Sequence, residues 1–294
     1  MSSFHKTLIL PLVSTGNVPQ LCTDLVLHSL SDEFEFVKSL DSMYVHPFVG
    51  ALDYSAEDAQ PVLYKSSPDK KLSTALELFY NKAKNLYVIQ QRTPVIQGYV
   101  NNFVRETIIP LVDELQISHL TVLDSYGALD ESIISKKFAT NAAKGMNNID
   151  PYFSMGTCRM GSIESLSSEF DSALDLQVDP NTSQHYTTSL LKFTERSLVQ
   201  EVSTDQQIFK IIYHLINSRL SKLEEIKYCT FFVHEGDNSL DAGLFASRFE
   251  DFVNPTEESA GASVSISHFK TPVSWKGVYG FNEIPSTLEE GIYI

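Results

Sequence analysis

The chain has 294 residues, of which 43% are hydrophobic and 20% charged. That mixture is rich enough to bury a core and excludes collagen, coiled coil and wholesale disorder, while the length fits one large domain or two modest ones. Acidic residues outnumber basic ones 37 to 22, for a formal net charge of −15. Such a surface repels nucleic-acid phosphates and anionic lipid, and the basic clusters Lys70-Lys71 and Lys136-Lys137 are no more than pairs.

Cys22, Cys158 and Cys229 are odd in number and far apart. Their spacing argues against a disulfide framework and against a close-spaced zinc site, and points to a reducing compartment. At the N-terminus, Met1 to Lys6 precede only about six apolar-rich residues, too few for a signal peptide or a membrane span. The expectation is a soluble intracellular protein with no metal and no cofactor.

Thr7 to Leu12 reads as a short buried strand that stops at Ser14-Thr15-Gly16-Asn17. Val18, Leu21, Cys22, Leu25 and Val26 then recur at helical spacing, with Asn17 placed to cap and Pro19 tolerated in the first turn. Phe34 to Leu40 and Tyr44 to Leu52 are shorter strand candidates, and Ala56 to Asp69 is loop-like. Leu72 to Tyr80 alternates, Asn81 to Asn85 turns, and Leu86 to Gln91 resumes, a hairpin pattern. Gly98 to Gln116 carries the strongest helical period, from Val100 through Leu115, and Pro110 should kink it or remove a hydrogen bond on its exposed side. Leu120 to Leu123 is the next buried strand.

From Tyr126 to about Val202 no apolar period survives, and a stretch of that length suggests a flexible insertion, spanning 126–202, on a finished core. Order returns with a capping box at Thr204 to Gln207 and a helix bearing Ile208, Ile211, Ile212, Leu215 and Ile216. Tyr228 to Val233 is another buried strand; His234 to Asn238 leads into a helix with Ala242, Phe245, Ala246, Phe249 and Val253 inward, and Val264 to Phe269 is a last strand candidate. Buried strands alternating with amphipathic helices predict a single α/β domain over 1–294, a three-layer sandwich around a mostly parallel or mixed sheet, with residues 282–294 as a flexible tail.

Chemistry is sparse in this pattern. Ser14-Thr15-Gly16-Asn17 joins a strand to a helix and its amides could hold an anion, but without a GxGxxG or GxxxxGKS pattern a simple cap and turn is the stronger reading. His234-Glu235-Gly236-Asp237-Asn238 follows a buried strand, where acid–base or metal chemistry would sit, yet Gly236, Asp237 and Asn238 are equally good turn and cap residues. No serine stands in a GxSxG elbow, and Cys22 and Cys229 fall on apolar faces typical of inert core thiols. Trp275 suits an interface anchor and ordinary packing alike. The sharpest signal is the end of the sequence, Ile292-Tyr293-Ile294, a hydrophobic–tyrosine–any-residue ending that composition alone produces in roughly 2% of cases. An aliphatic, an aromatic and a carboxylate on a polar arm are suited to an apolar slot that carries a lysine.

Several of these stretches resemble the proteasome assembly chaperone 2 family: Leu10-Pro11-Leu12-Val13-Ser14-Thr15-Gly16-Asn17 with Gln20-Leu21 and Asp24-Leu25, Glu235-Gly236-Asp237-Asn238 with Asp241-Ala242, and Pro272-Val273-Ser274-Trp275 with Gly280. Phe79-Tyr80-Asn81-Lys82, Gln90-Gln91-Arg92-Thr93-Pro94 and Asn101-Asn102-Phe103 are similar to its fungal members in particular. Each motif is weak alone, but they recur in order over 7–125 and 203–294. The resemblance implies a non-enzymatic chaperone of the cytoplasm and nucleus with a nucleoside-phosphorylase-like fold. It also implies a heterodimer with a related first-subunit chaperone on the α-ring face of immature proteasome core particle, with Ile292, Tyr293 and Ile294 docking between α subunits. Two other classes stay open: a phosphorylase- or hydrolase-like enzyme using Ser14–Asn17 with His234 or Asp237, and a heterodimerising scaffold with an inert tail.

Overall fold

The protein is described here from a computed structural model covering residues 5–127, 153–159, 207–218, 220–233, 236–253, 266 and 268–276. Nine strands are described: β1 Thr7–Pro11, β2 Phe34–Ser39, β3 Val49–Ala51, β4 Leu72–Thr74, β5 Leu76–Asn81, β6 Leu86–Gln91, β7 His119–Gly127, β8 Phe153–Arg159 and β9 Glu225–Val233. The helices are α1 Val18–Ser29, α2 built of three consecutive runs (Val100–Asn102, Phe103–Ile108 and Ile109–Glu114), α3 Gln207–Asn217, α4 Ser239–Ala246 and α5 Phe249–Val253.

Seven strands form one sheet in the order β2-β5-β6-β1-β7-β9-β8, and β3 pairs with β4 beside it. The central strands β6, β1, β7 and β9 are parallel; β5 and β8 flank them antiparallel, and β2 pairs antiparallel with β5 at the outer edge. A strand buried on both faces reads as an unbroken apolar run, and β1 is buried at all five positions. One apolar layer joins that sheet to α2 and α3 through Phe103, Ile108, Val112, Ile211 and Leu215. The opposite layer joins it to α1, α4 and α5 through Leu21, Leu25, Phe245, Phe249 and Phe252. The α/β sandwich with a mixed sheet is therefore as expected, helices covering both faces.

Several elements depart from the sequence reading. The single strand expected over Leu72–Tyr80 is two, because at Ala75 the chain leaves β3 and takes up β6. Of the strand expected over Tyr44–Leu52, only Val49–Ala51 forms one. β7 runs past Leu123, since Asp124, Ser125, Tyr126 and Gly127 keep pairing with Thr230, Phe231, Phe232 and Val233: the ladder uses backbone groups, to which polar side chains are no obstacle. Within 126–202, Tyr126 and Gly127 end β7, and β8 pairs along β9 from Phe153 to Arg159; residues 128–152 and 160–202, and the capping box at Thr204–Asp205–Gln206, lie outside the described residues.

Pro110 sits exposed, and the turn ahead of it, Phe103–Ile108, is π-helical, which absorbs the missing amide of a proline at that point. The final strand expected over Val264–Phe269 does not form among the described residues there; Ile266 and Phe269 instead pack against the α1 side of the core. Trp275 is packing too, 3% exposed. Exposed apolar side chains include Val49 and Leu72 on the small sheet, Met43 ahead of it in the chain, and Leu240 with Leu244 on α4. Among the described residues no helix is long and apolar enough to cross a membrane.

Candidate functional site

Open α/β sheets place ligand crevices beyond the carboxyl ends of their parallel strands, and the loops singled out in the sequence meet there. Ser14, three residues past β1, accepts a hydrogen bond at Oγ from Ser125 N on β7 at 3.0 Å, and the two hydroxyls lie 2.9 Å apart. Ser125 Oγ donates to the Thr15 carbonyl at 2.6 Å. Gly16 and Asn17 follow at positive φ, +68° and +54°. Asn17 stands at the N-cap of α1 without a side-chain capping bond, so its role is the left-handed turn itself. A Cβ on Gly16 would lie 2.5 Å from Asn238 Nδ2, which makes the glycine a point of close approach between the loop after β1 and the loop after β9.

Gly236, Asp237 and Asn238 thus form a joint with Gly16. Asp237 Oδ1 accepts from Ser239 N at 2.9 Å and starts α4, while Asn238 Nδ2 donates to the Gly236 carbonyl at 3.2 Å. His234 and Glu235 lie outside the described residues. Cys22 and Cys229 are buried, and burial pushes both thiols up, Cys229 to about 12, so neither is a nucleophile at neutral pH.

Beside this joint a cleft of about 750 Å³ opens between α1, the end of β6 and the small sheet, and its walls bring together Asp24, Gln90, Gln91, Arg92, Asp53, Ser274 and Trp275. Sequence reasoning did not foresee it. Asp24 is the hub. It accepts from Trp275 Nε1 at 3.1 Å and from Gln90 Nε2. Burial pushes its carboxyl up to about 6 against the partly compensating charge of Arg92. Arg92 donates in turn to Gln90 Oε1 at 2.5 Å, to the Thr74 carbonyl at 2.9 Å and to Glu77 Oε2 at 2.8 Å.

Glu77 is wholly buried and saturated with donors: besides Arg92 it takes Tyr64 OH at 2.8 Å, Lys70 Nζ at 2.7 Å and Thr74 N at 3.1 Å. Burial pushes the Glu77 carboxyl up, but the charge of Arg92 and the bonds from Lys70 and Tyr64 outweigh it and hold the group below the usual carboxylate range. The outer wall is a strap. Val273 N donates to the Tyr54 carbonyl at 2.8 Å, and Ser274 donates to Asp53 through N at 3.3 Å and Oγ at 2.5 Å. Asp24, Gln90, Arg92, Glu77, Asp53 and Ser274 are bonded to one another or to neighbouring backbone, which makes the arrangement a brace between distant segments, while the buried Gln91 Oε1 has no partner among the described residues.

The model of one family, PAC2, matches residues 8–234, most of the chain. The chain belongs to the PAC2 family. Among relatives of PAC2 type, Proteasome assembly chaperone 2 of Saccharomyces cerevisiae is 37% identical over 280 residues, 93% of this chain and 94% of the yeast protein. Proteasome assembly chaperone 2 of Nematostella vectensis is 32% identical over 124 residues, covering 42% of this chain and 47% of that relative. A crystal structure of Pyrococcus furiosus PbaA, described as an archaeal homolog of proteasome-assembly chaperone, superposes with a TM-score of 0.49 at 12% identity over 90% of this chain and 80% of that one.

Against the PAC2 match, the geometry separates two kinds of predicted residue. Gly16 and Asn17, within the matched range, and Gly236, Asp237 and Asn238, just beyond it, hold the carboxyl-end loops together, and Trp275, further beyond, is tied back to Asp24 on α1. Three stretches that carried the resemblance, around Asp24, Gln90–Pro94 and Pro272–Trp275, converge on the one cleft. Ile292, Tyr293 and Ile294 lie outside the described residues.

Proposed function

We propose that this PAC2 protein is a chaperone of proteasome core-particle assembly that acts without catalysis. The observation that carries the reading is its 37% identity, along nearly the whole of both chains, to a yeast protein named for that role. In this reading the protein works in cytoplasm and nucleus as one half of a heterodimer with the related first-subunit chaperone, seated on the α-ring face of immature core particle. Leu240 and Leu244, one turn apart and exposed on α4, offer such a partner an apolar contact.

The docking element is Ile292-Tyr293-Ile294. Residues 277–294 follow the strap that Trp275 anchors, and fully extended they reach at most about 60 Å. Ile292 in an apolar slot contributes about 1.5–3 kcal/mol, Tyr293 adds a stiff ring with a hydroxyl, and the Ile294 carboxylate pairs with a lysine at the pocket floor. Deleting Ile292–Ile294, or appending one residue after Ile294, is expected to weaken core-particle binding about tenfold or more and to leave the heterodimer intact. The assay is affinity for immature core particle with the partner's own tail removed, so that avidity does not mask the loss. Equal affinity of intact and truncated chains would remove the tail from the mechanism.

A further inference from the structure

At the edge of the sheet opposite the cleft, three neighbouring parallel strands begin side by side. His5 lies two residues before β1, His119 is the first residue of β7, and Glu224 stands one residue before β9. The register sets Thr7 against His119 and His119 against Glu225. Backbone bonds clamp these starts together: His119 N donates to the Lys6 carbonyl at 3.1 Å, and Glu224 N donates to the Ser118 carbonyl at 2.8 Å. The two imidazoles therefore meet edge to face, centroids 4.3 Å apart, and His5 Nδ1 lies 4.0 Å from Glu224 Oε2. One ligand-capable atom from each of the three residues falls within 4.8 Å of the other two.

We propose that His5, His119 and Glu224 form a binding site for a divalent transition-metal ion, zinc by preference, with a fourth position left to water or to a donor from another molecule. Two imidazoles and one carboxylate are a donor set that zinc takes at 2.0–2.2 Å, and a tetrahedron of such bonds spaces its ligand atoms roughly 3.4 Å apart. The separation of His5 and Glu224 needs only a small contraction to reach that value. Both residues can supply it, since Glu224 is exposed and the His5 side chain is 30% exposed, while His119 is buried and fixed. Hard cations such as magnesium and calcium prefer all-oxygen cages and are a poor match to two imidazoles.

The surroundings of His119 favour the metal-ready tautomer. Ser118 Oγ lies 3.0 Å from His119 Nδ1, accepts from Lys6 N at 2.9 Å, and is 3.3 Å from the Lys6 carbonyl. If Nδ1–H donates to Ser118 Oγ and the hydroxyl hydrogen passes to the Lys6 carbonyl, every donor and acceptor of the hydroxyl is used and Nε2 keeps a free lone pair. A second partner that fixes the far nitrogen of a ligating histidine is the usual support for such a site.

The inference stands independently of the chaperone reading and is tested on the full chain. Cobalt(II) is titrated in and followed by its visible absorption, then displaced with zinc. The expected result is saturable one-to-one binding with the intense bands of a tetrahedral site, displaced by zinc and not by magnesium. His5→Gln and Glu224→Gln, both surface changes that leave the fold intact by circular dichroism, are each expected to weaken binding about tenfold or more, whereas His46→Gln leaves it unchanged. Absence of saturable binding up to millimolar metal, undiminished affinity in both variants, or a thiolate-to-cobalt charge-transfer band would overturn the assignment.

Discussion

Arg92 is the residue whose removal the structure makes most informative, because it stands between two carboxylates of opposite habit. Arg92→Ala takes one of the donors from the buried Glu77, strands the Gln90 amide oxygen, and withdraws a positive charge from Asp24. Breaking a buried ion pair costs about 3–5 kcal/mol; Lys70 and Tyr64 still reach Glu77, so the expected loss is at the low end, about 3 kcal/mol. For a chain of this size, with a urea m-value of about 3 kcal/mol/M, the unfolding midpoint should fall by about 1 M with m unchanged. Trp275, the only tryptophan and buried against Asp24, reports the transition by fluorescence.

The same probe reads the second consequence. Its emission in the folded state should titrate with Asp24 near pH 6 in the parent chain and at higher pH in Arg92→Ala, because the arginine charge is what holds that carboxyl down against burial. A midpoint that moves by less than about 0.3 M, or a titration that stays put, would refute the claim that this brace is electrostatically coupled.

Two other perturbations test the joint and the hub. Gly16→Ala meets both a left-handed backbone and the Asn238 amide, and should destabilise by about 1–3 kcal/mol; adding Asn238→Ala should recover the steric share and not the backbone share, read by urea unfolding of the two variants. For Asp24→Asn the sign follows from a folded pKa near 6 above an ordinary 3.8: the unfolded chain ionises first, so parent stability declines as pH rises from about 4 to 6 and then levels. The asparagine variant should lack that decline in parallel thermal melts, and superimposable pH profiles would count against the assignment.

How much of this was legible in the sequence depends on whether the signal was local. Thr7–Pro11, Leu86–Gln91 and the stripe from Val100 to Leu115 declared themselves because apolar periodicity is written over consecutive residues. The extension of β7 through Asp124 and Ser125, and β8 within a stretch rich in Ser, Asn and Gly, did not, since strand pairing is decided by the neighbouring backbone. Gly16 was legible as a turn, yet only the fold shows that its missing Cβ makes room for Asn238, 222 positions away. Glu77 left a faint trace as a charge amid Leu76, Leu78 and Phe79, but nothing local pointed to Lys70, Tyr64 and Arg92 as its company.

The two edges of the sheet show why motif spacing fails here in two different ways. At the carboxyl edge, the stretches around Asp24, Gln90–Pro94 and Pro272–Trp275 were each noticed, but as separate likenesses, and their meaning as walls of one cleft needs the crossover that lays α1 beside the end of β6. At the amino edge, His5, His119 and Glu224 carry no spacing that a ligand search along the chain would accept, because each belongs to a different strand and what unites them is the register Thr7–His119–Glu225. A parallel sheet brings all its strand starts to one side whatever the length of the connections between them. In such a fold, the residue just before or at the start of each central strand is therefore the place to look for ligand sets that linear motifs cannot reveal. The site depends on that register: a one-residue slip of β7 against β1 would turn His119 to the other face and dissolve the site while leaving the backbone ladder whole.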